Sequence, residues 1–203
     1  MEIYLIRHGE TASNAARIVQ TPEIPLSERG LKQAELLSRR LAAQSISDVL
    51  SSDLRRAVMT AEALQRATDA KLQLDAGLQE RNYGDIRGRA YAEFDVDILG
   101  ADYEPPGGET WNEFYARVDA VWPRIVAAAE QTKGNLAVVT HGLVCHALLA
   151  RHLTLAGSVT PTQWANTSVT VIDGKPPWRV SLVNCTAHLD IRSADDRTSP
   201  SGI

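Results

Sequence analysis

Apolar and polar positions fall into blocks along this chain, and the period of each block predicts an element. The run "EIYLI" at residues 2–6 is apolar and β-prone, and it reads as a buried strand. After the "PEIPL" turn, Ser27 is placed to N-cap a helix whose apolar face is Leu31, Ala34, Leu37 and Leu41. "SDVLSS" is a second strand. Asp53 then precedes a helix carrying Leu54, Ala57, Val58, Ala61 and Leu64, and its carboxylate is expected to cap it. "KLQL" gives a third strand.

From residue 84 to 108 no period holds, apart from a short helix expected near Ala90–Leu99. Thr110 and Glu113 form a T-x-x-E capping box that opens a long helix, in which Pro123 predicts a kink or restart. Gly134 closes it. "NLAVV" is a continuous apolar strand of the kind buried on both faces in a parallel sheet, and a helix over about Leu143–Leu153 follows. "SVTVID" and "RVSLVN" are the last strands. Such alternation predicts a layered α/β domain with a mostly parallel sheet, spanning residues 1–191, and the polar residues 192–203 read as a loose tail.

Composition narrows the function. The 203 residues, 44% of them hydrophobic, are enough for one domain with a real core. A formal net charge of −4 argues against a nucleic-acid or membrane-surface partner. No apolar run is long enough to span a bilayer and the N-terminus has no leader-like pattern, so a cytoplasmic protein is expected. Cys145 and Cys185 both lie in apolar segments and read as buried reduced thiols.

The candidate chemistry sits where strands end. "IYLIRHG" and "LAVVTHG" share one arrangement, an apolar strand, then His, then Gly. In open α/β sheets, ligands bind off the carboxyl ends of the strands. His8 and His141 should therefore emerge at one edge, joined by Arg55 and Arg56 after the second strand and by Glu80 and Arg81 after the third. Two imidazoles, several guanidinium groups and one carboxylate describe an anion site, because guanidinium forks match phosphate oxygens.

With "RHGETASN", "SSDLRRAVMTA", "LQERNYGDIRG", "GGET" and "VVTHG" in this order, the chain resembles the histidine phosphatase superfamily, the phosphoglycerate mutase-like phosphatases, from about residue 2 to 188. The resemblance implies a three-layer α/β/α sandwich with a six-stranded mixed sheet. It assigns His8 as the nucleophile that becomes phosphohistidine and Glu80 as the proton donor. Arg7, Arg56 and His141 match the phosphate-pocket cations. Asn14 and the backbone after His141, at Gly142 and Leu143, match further phosphate contacts. Gln20, Thr21, Arg81 and Tyr83 fall where the family meets the rest of the substrate.

The activity implied is hydrolysis of a small phosphomonoester with neither metal nor cofactor, since the cations already offset the dianion. They also disfavour a charged His8. Gly9 and Gly142, lacking Cβ, are expected to let the backbone approach the phosphate. Two departures bear on the substrate. Ile86 and Arg87 stand where phosphatases of the family often carry a Trp-Glu pair, and Arg81, Arg87 and Arg89 together suggest a second anionic group. The segment between Gly88 and Gly107 is shorter than in the family's mutases, which favours hydrolysis over phosphoglycerate mutase-type transfer. A phosphoprotein substrate, a non-catalytic phospho-ligand binder on the same fold, and a homodimer all stay open.

Two rival chemistries are weaker. Cys145 to Arg151 has the C-x5-R spacing of cysteine-dependent phosphatases, but "HALLA" is made of helix formers with no glycine to wrap a phosphate. His141, His146 and His152 are spaced by five and six, which does not align metal ligands on one helical face.

Overall fold

The computed structural model describes residues 1–155, 157 and 160–189; the tail expected at 192–203 lies outside them. Seven strands form one mixed sheet: β1 (Glu2–Arg7), β2 (Ile46–Ser51), β3 (Lys71–Leu74), β4 (Asn135–Thr140), β5 (Thr154–Leu155), β6 (Val169–Asp173) and β7 (Arg179–Cys185). Their order is β3-β2-β4-β1-β6-β7-β5. The first four are mutually parallel, β6 runs antiparallel to β1, and β7 antiparallel to β6. The seventh strand, β5, exceeds the six expected. It is only two residues long and pairs with the edge of β7, too short to leave a periodic signal.

Among the described residues there are five α-helices: α1 (Ala12–Ala16), α2 (Glu28–Leu41), α3 (Arg55–Thr68), α4 (Trp111–Gln131) and α5 (Gly142–His152). Alternation along the strands sorts the core into two halves. Ile3 and Leu5 of β1 with Leu136 and Val138 of β4 join Phe114, Val118, Val121 and Ile125 of α4 and the inner side of α5. Tyr4, Ile6, Ala137 and Val139 face the other way, onto Leu37 and Leu41 of α2 and Ala57, Ala61 and Leu64 of α3. A period of two in the middle layer and 3.6 in the outer ones yields the α/β/α sandwich.

Ser27 caps α2 through Gly30 N, and Thr110 with Glu113 forms the capping box of α4, as the sequence predicts. Other local expectations need correction. Leu31 is 49% exposed, so the apolar face of α2 begins at Ala34. Asp53 does not cap α3; its carboxylate accepts from Gln79 Nε2, while Ser52 Oγ accepts the amide of Leu54. Helix α4 continues through Pro123, which lies on the exposed face. The helix expected at 90–99 shrinks to one 3-10 turn at Tyr91–Glu93, and a second such turn spans Gly84–Ile86. Cys185 is half-buried rather than buried.

Candidate active site

Parallel pairing brings the four carboxyl strand ends to one edge. Arg7 pairs with Thr140 at the last register position of β1 and β4, and His8 N donates to the Thr140 carbonyl. Ser52 N donates to Val139 O, which ties the end of β2 to the same seam. The turn after β3 carries Glu80 inward and is held by Arg117 of α4. That guanidinium donates to the carbonyls of Gly77, Gln79 and Glu80, and grips Glu109 through both carboxylate oxygens.

The resulting cleft is walled by Arg7, His8, Arg56, Glu80, Arg87 and Tyr91, with Asn14, Gln20, Arg81, Tyr83 and Leu143 around them. Four residues expected at the reacting centre thus share one wall: Arg7, His8, Arg56 and Glu80. His141 is not on that wall. It lies behind His8, with ring centroids 5.0 Å apart, and its Nε2 meets Ser52 Oγ at 2.8 Å.

His8 is 1% exposed and its tautomer is set by its neighbours. Nδ1 lies 2.7 Å from the carbonyl of Gly9, an acceptor only, so Nδ1 carries the proton. Nε2 is left with its lone pair and accepts from Arg56 Nε at 3.3 Å. Burial lowers the His8 pKa well below its usual value, and the charges of Arg56 and Arg7 lower it further. The imidazole is therefore neutral near pH 7. The same causes hold His141 neutral, so this residue, expected as a cation, is an uncharged one before an anion arrives.

Arg7 donates to the carbonyl of Trp164, and Arg56 Nη1 to that of Thr21 at 3.1 Å. Burial lowers both guanidinium pKa values to about 10, which leaves them charged at neutral pH. Glu80 moves the opposite way. Burial raises its pKa, against the N–H groups of Leu143 (3.2 Å to Oε2) and Arg81 (3.1 Å to Oε1) and the arginine charges. A neutral base, two fixed cations and a carboxyl group biased toward its acid form stand around one cleft.

The outer contacts are placed unevenly. Asn14 lines the cleft, with Oδ1 accepting from Thr11 N inside the capping box of α1. Gln20 lines it too, fixed by Thr11 Oγ1. Thr21 serves through its backbone carbonyl on Arg56, and Gly142 does not reach the wall. Arg81 donates to the carbonyls of Glu109 and Tyr103 and stacks on Trp111 with 4.0 Å to the ring centroid, so most of its fork is committed to the scaffold. Arg89 pairs with Glu93 and covers Phe94. Gly9 is needed for packing: a Cβ there would stand 2.7 Å from the carbonyl of Gly30, and one on Gly30 would stand 2.0 Å from that of Glu10. The strand-end loop and the first turn of α2 thus meet backbone to backbone.

Sequence reasoning missed Ser52, Tyr91 and Asn166. Asn166 Nδ2 and Thr167 N both donate to the His8 carbonyl. None lies in a periodic element, so no pattern announces them. The rival readings fail on position. Cys145 is fully buried in α5 with its thiol pKa raised by burial, and Arg151 pairs with Asp119. His152 also meets Asp119, and no three His, Cys, Asp or Glu side chains gather into a metal-sized group among the described residues. Nor is any described helix long and apolar enough to cross a membrane.

A histidine between two arginines at the end of β1, faced by a buried carboxyl group on an α/β/α sandwich, makes an anion site by class. The sequence matches the profile of the histidine phosphatase superfamily, branch 1, over residues 3–186. The chain belongs to this superfamily and is an enzyme of the histidine phosphatase type. It is 35% identical over 213 residues to phosphoglycerate mutase-like protein 4 of Arabidopsis thaliana, covering 93% of this chain and 87% of that one. With the probable phosphoglycerate mutase GpmB of Yersinia pestis it shares 31% over 218 residues, covering 97% and 98%. Among solved structures, the mycobacterial glucosyl-3-phosphoglycerate phosphatase superposes with a TM-score of 0.76 at 27% identity, over 89% of this chain and 97% of that one.

Proposed function

We propose that this protein is a metal-independent phosphomonoesterase that hydrolyses a small phosphorylated metabolite through a phosphohistidine intermediate. The observation that carries the reading is the state of His8: buried, neutral, with Nδ1–H pinned to Gly9 and the Nε2 lone pair beside Arg56, in the cleft that Glu80 also walls. Arg7 and Arg56 offset the phosphate dianion. The lone pair attacks phosphorus as the P–O bond to the alcohol breaks, and Glu80 gives its proton to the leaving oxygen. Water then attacks the phosphohistidine, Glu80 takes up the released proton, and the P–N bond breaks. A bound dianion favours protonation of His141, which then adds a donor behind the phosphate.

Hydrolysis is preferred to mutase-type transfer because the segment after Gly88 is short and its one arginine, Arg89, is paired with Glu93 four residues on. Turnover of p-nitrophenyl phosphate in EDTA, with acid-labile, base-stable label trapped on His8 after a quench, is the expected result. Activity abolished by EDTA and restored by Mg²⁺ would defeat the metal-free reading. Label remaining in His8→Ala would defeat the nucleophile.

A further inference from the structure

His141 carries a polar atom that the fold leaves unused. The residue is fully buried, its Nε2 stands 2.8 Å from Ser52 Oγ, and its Nδ1 has no hydrogen-bond partner among the described residues. His141 occupies the N-cap position of α5, where a side chain ordinarily accepts an amide of the first helical turn. Here the Leu143 amide donates to Glu80 Oε2 instead, and no cap bond reaches the ring. Ser52 is buried as well and firmly held. Its amide donates to Val139 O, its carbonyl accepts from Ser51 Oγ, and its own Oγ accepts the Leu54 amide at 3.3 Å. The hydroxyl therefore has a fixed place between the start of α3 and the His141 ring.

Counting donors and acceptors decides which nitrogen of His141 carries the proton. The ring is neutral, so it has one N–H and one lone pair. Suppose the proton sat on Nε2 and pointed at Ser52. The hydroxyl would then spend both its lone pairs, on Nε2–H and on the Leu54 amide, and its own proton would have no acceptor. Nδ1 would add a bare lone pair with no donor, so two buried groups would be stranded. With the proton on Nδ1, the hydroxyl donates to Nε2 and accepts from Leu54, and only Nδ1–H is stranded. Unpaired polar groups are costly to bury, so the second arrangement wins. The group left over is a donor, on a ring 5.0 Å from that of His8 and in the field of Arg56, Arg7 and Arg117. A lone pair there would repel an anion, whereas an N–H binds one. Protonation on arrival of a dianion adds Nε2–H, which Ser52 Oγ, an acceptor as well as a donor, takes up.

Resting on the phosphatase reading above, we propose that Ser52 is a positioning residue: its hydroxyl fixes His141 as the Nδ1–H tautomer, so that an N–H and not a lone pair meets the phosphate. Two measurements test it. The first is the ¹⁵N–¹H spectrum of protein labelled at the histidine nitrogens, with the His141 signals assigned by their loss in His141→Asn. The proton should reside on Nδ1 in wild type and in Ser52→Thr, and move wholly or partly to Nε2 in Ser52→Ala. The second, kinetics on p-nitrophenyl phosphate, asks whether Ser52 acts through that ring. Ser52→Ala should lower kcat/KM by about 10- to 100-fold, less than the roughly 10² to 10³ of deleting a donor outright, because part of the population keeps the useful tautomer. In a His141→Asn background the same substitution should cost less than about 2-fold, whereas a merely structural role would cost as much there as in wild type. A wild-type ring protonated on Nε2, or a tautomer unmoved in Ser52→Ala, overturns the proposal. So does full additivity of the two substitutions, and in each case hydrolysis by wild type leaves the phosphatase reading standing. Should Ser52→Ala fail to fold, the wild-type and Ser52→Thr spectra decide the tautomer by themselves. No hydrolysis of any ester by wild type overturns the phosphatase reading and the kinetic role of Ser52 with it.

Discussion

Arg56 Nε points at Nε2 of His8 across 3.3 Å, so the cation proposed to neutralise the substrate also marks the nitrogen proposed to attack it. Its neighbour Arg55 is exposed on the first turn of α3. Arg56→Ala should therefore lower kcat/KM by roughly 10² to 10³, the usual cost of removing one donor to a developing charge, while Arg55→Ala stays near wild type. Steady-state kinetics on an alkyl phosphate decides it, and comparable losses from both variants would contradict the placement.

His8→Ala should lower turnover by about 10⁴ or more, as loss of a covalent nucleophile does elsewhere. Cys145→Ala should still form the labelled phosphoenzyme, because its thiol is fully buried and held in the protonated form. Quench and base-stability measurements on the two variants test this pair. Loss of label in Cys145→Ala would reverse the assignment.

Glu80 has its pKa raised by burial, so its acid form persists above the usual carboxylate range. Phosphorylation by alkyl esters should weaken as pH rises through that folded value, and Glu80→Gln should remove this dependence. The variant should be harmed less on p-nitrophenyl phosphate, whose leaving group departs without a proton, and phosphoenzyme should accumulate as a burst. Equal damage to the first step for both esters would refute the proton role.

Folding stability carries its own pH signature. The folded pKa values of His8 and His141 lie well below that of an unfolded histidine, near 6.5. Below about pH 6.5 the unfolded chain takes up protons that the folded sites refuse, so stability falls as pH drops through this window and is untouched above it. Glu80, a single group raised in the fold, acts in the opposite sense, stabilising at low pH and ceasing to as pH rises. Tm should therefore decline on acidification from pH 7.5 to 5.5, and less steeply in His141→Asn. A variant slope equal to wild type would contradict the buried neutral imidazole.

Gly30→Ala should cost about 1–3 kcal/mol, the usual penalty of overpacking, because its Cβ would stand 2.0 Å from the Glu10 carbonyl. Chemical denaturation measures it. The loss should come with reduced kcat, since the strand-end loop holding His8 must shift.

The parts of this molecule that are periodic or sit at strand ends could be read without coordinates. Ser27, the Thr110–Glu113 box, the apolar run of β4 and the group Arg7, His8, Arg56 and Glu80 all obey local rules. What escaped depends on where the chain returns. His141 is adjacent to Gly142 in a motif, yet its place behind His8 follows from Ser52, eighty-nine residues away in sequence. Arg81 and Arg87 look alike in the string "ERNYGDIRG". Only the fold commits one to the carbonyls of Tyr103 and Glu109 and leaves the other facing the cleft. Segment 84–108 has no period because its order comes from such long-range contacts.

Arg117 gives this division a practical meaning. By holding the carbonyls of Gly77, Gln79 and Glu80 from α4, it bolts Glu80, the proposed proton donor, to the sandwich itself. The turn bearing Arg87 lies downstream of that fastening. On the proposed roles, ligand preference and bond-breaking machinery are separable modules, and an engineer could regraft the stretch after Gly84 to suit a new alcohol while the acid keeps its station.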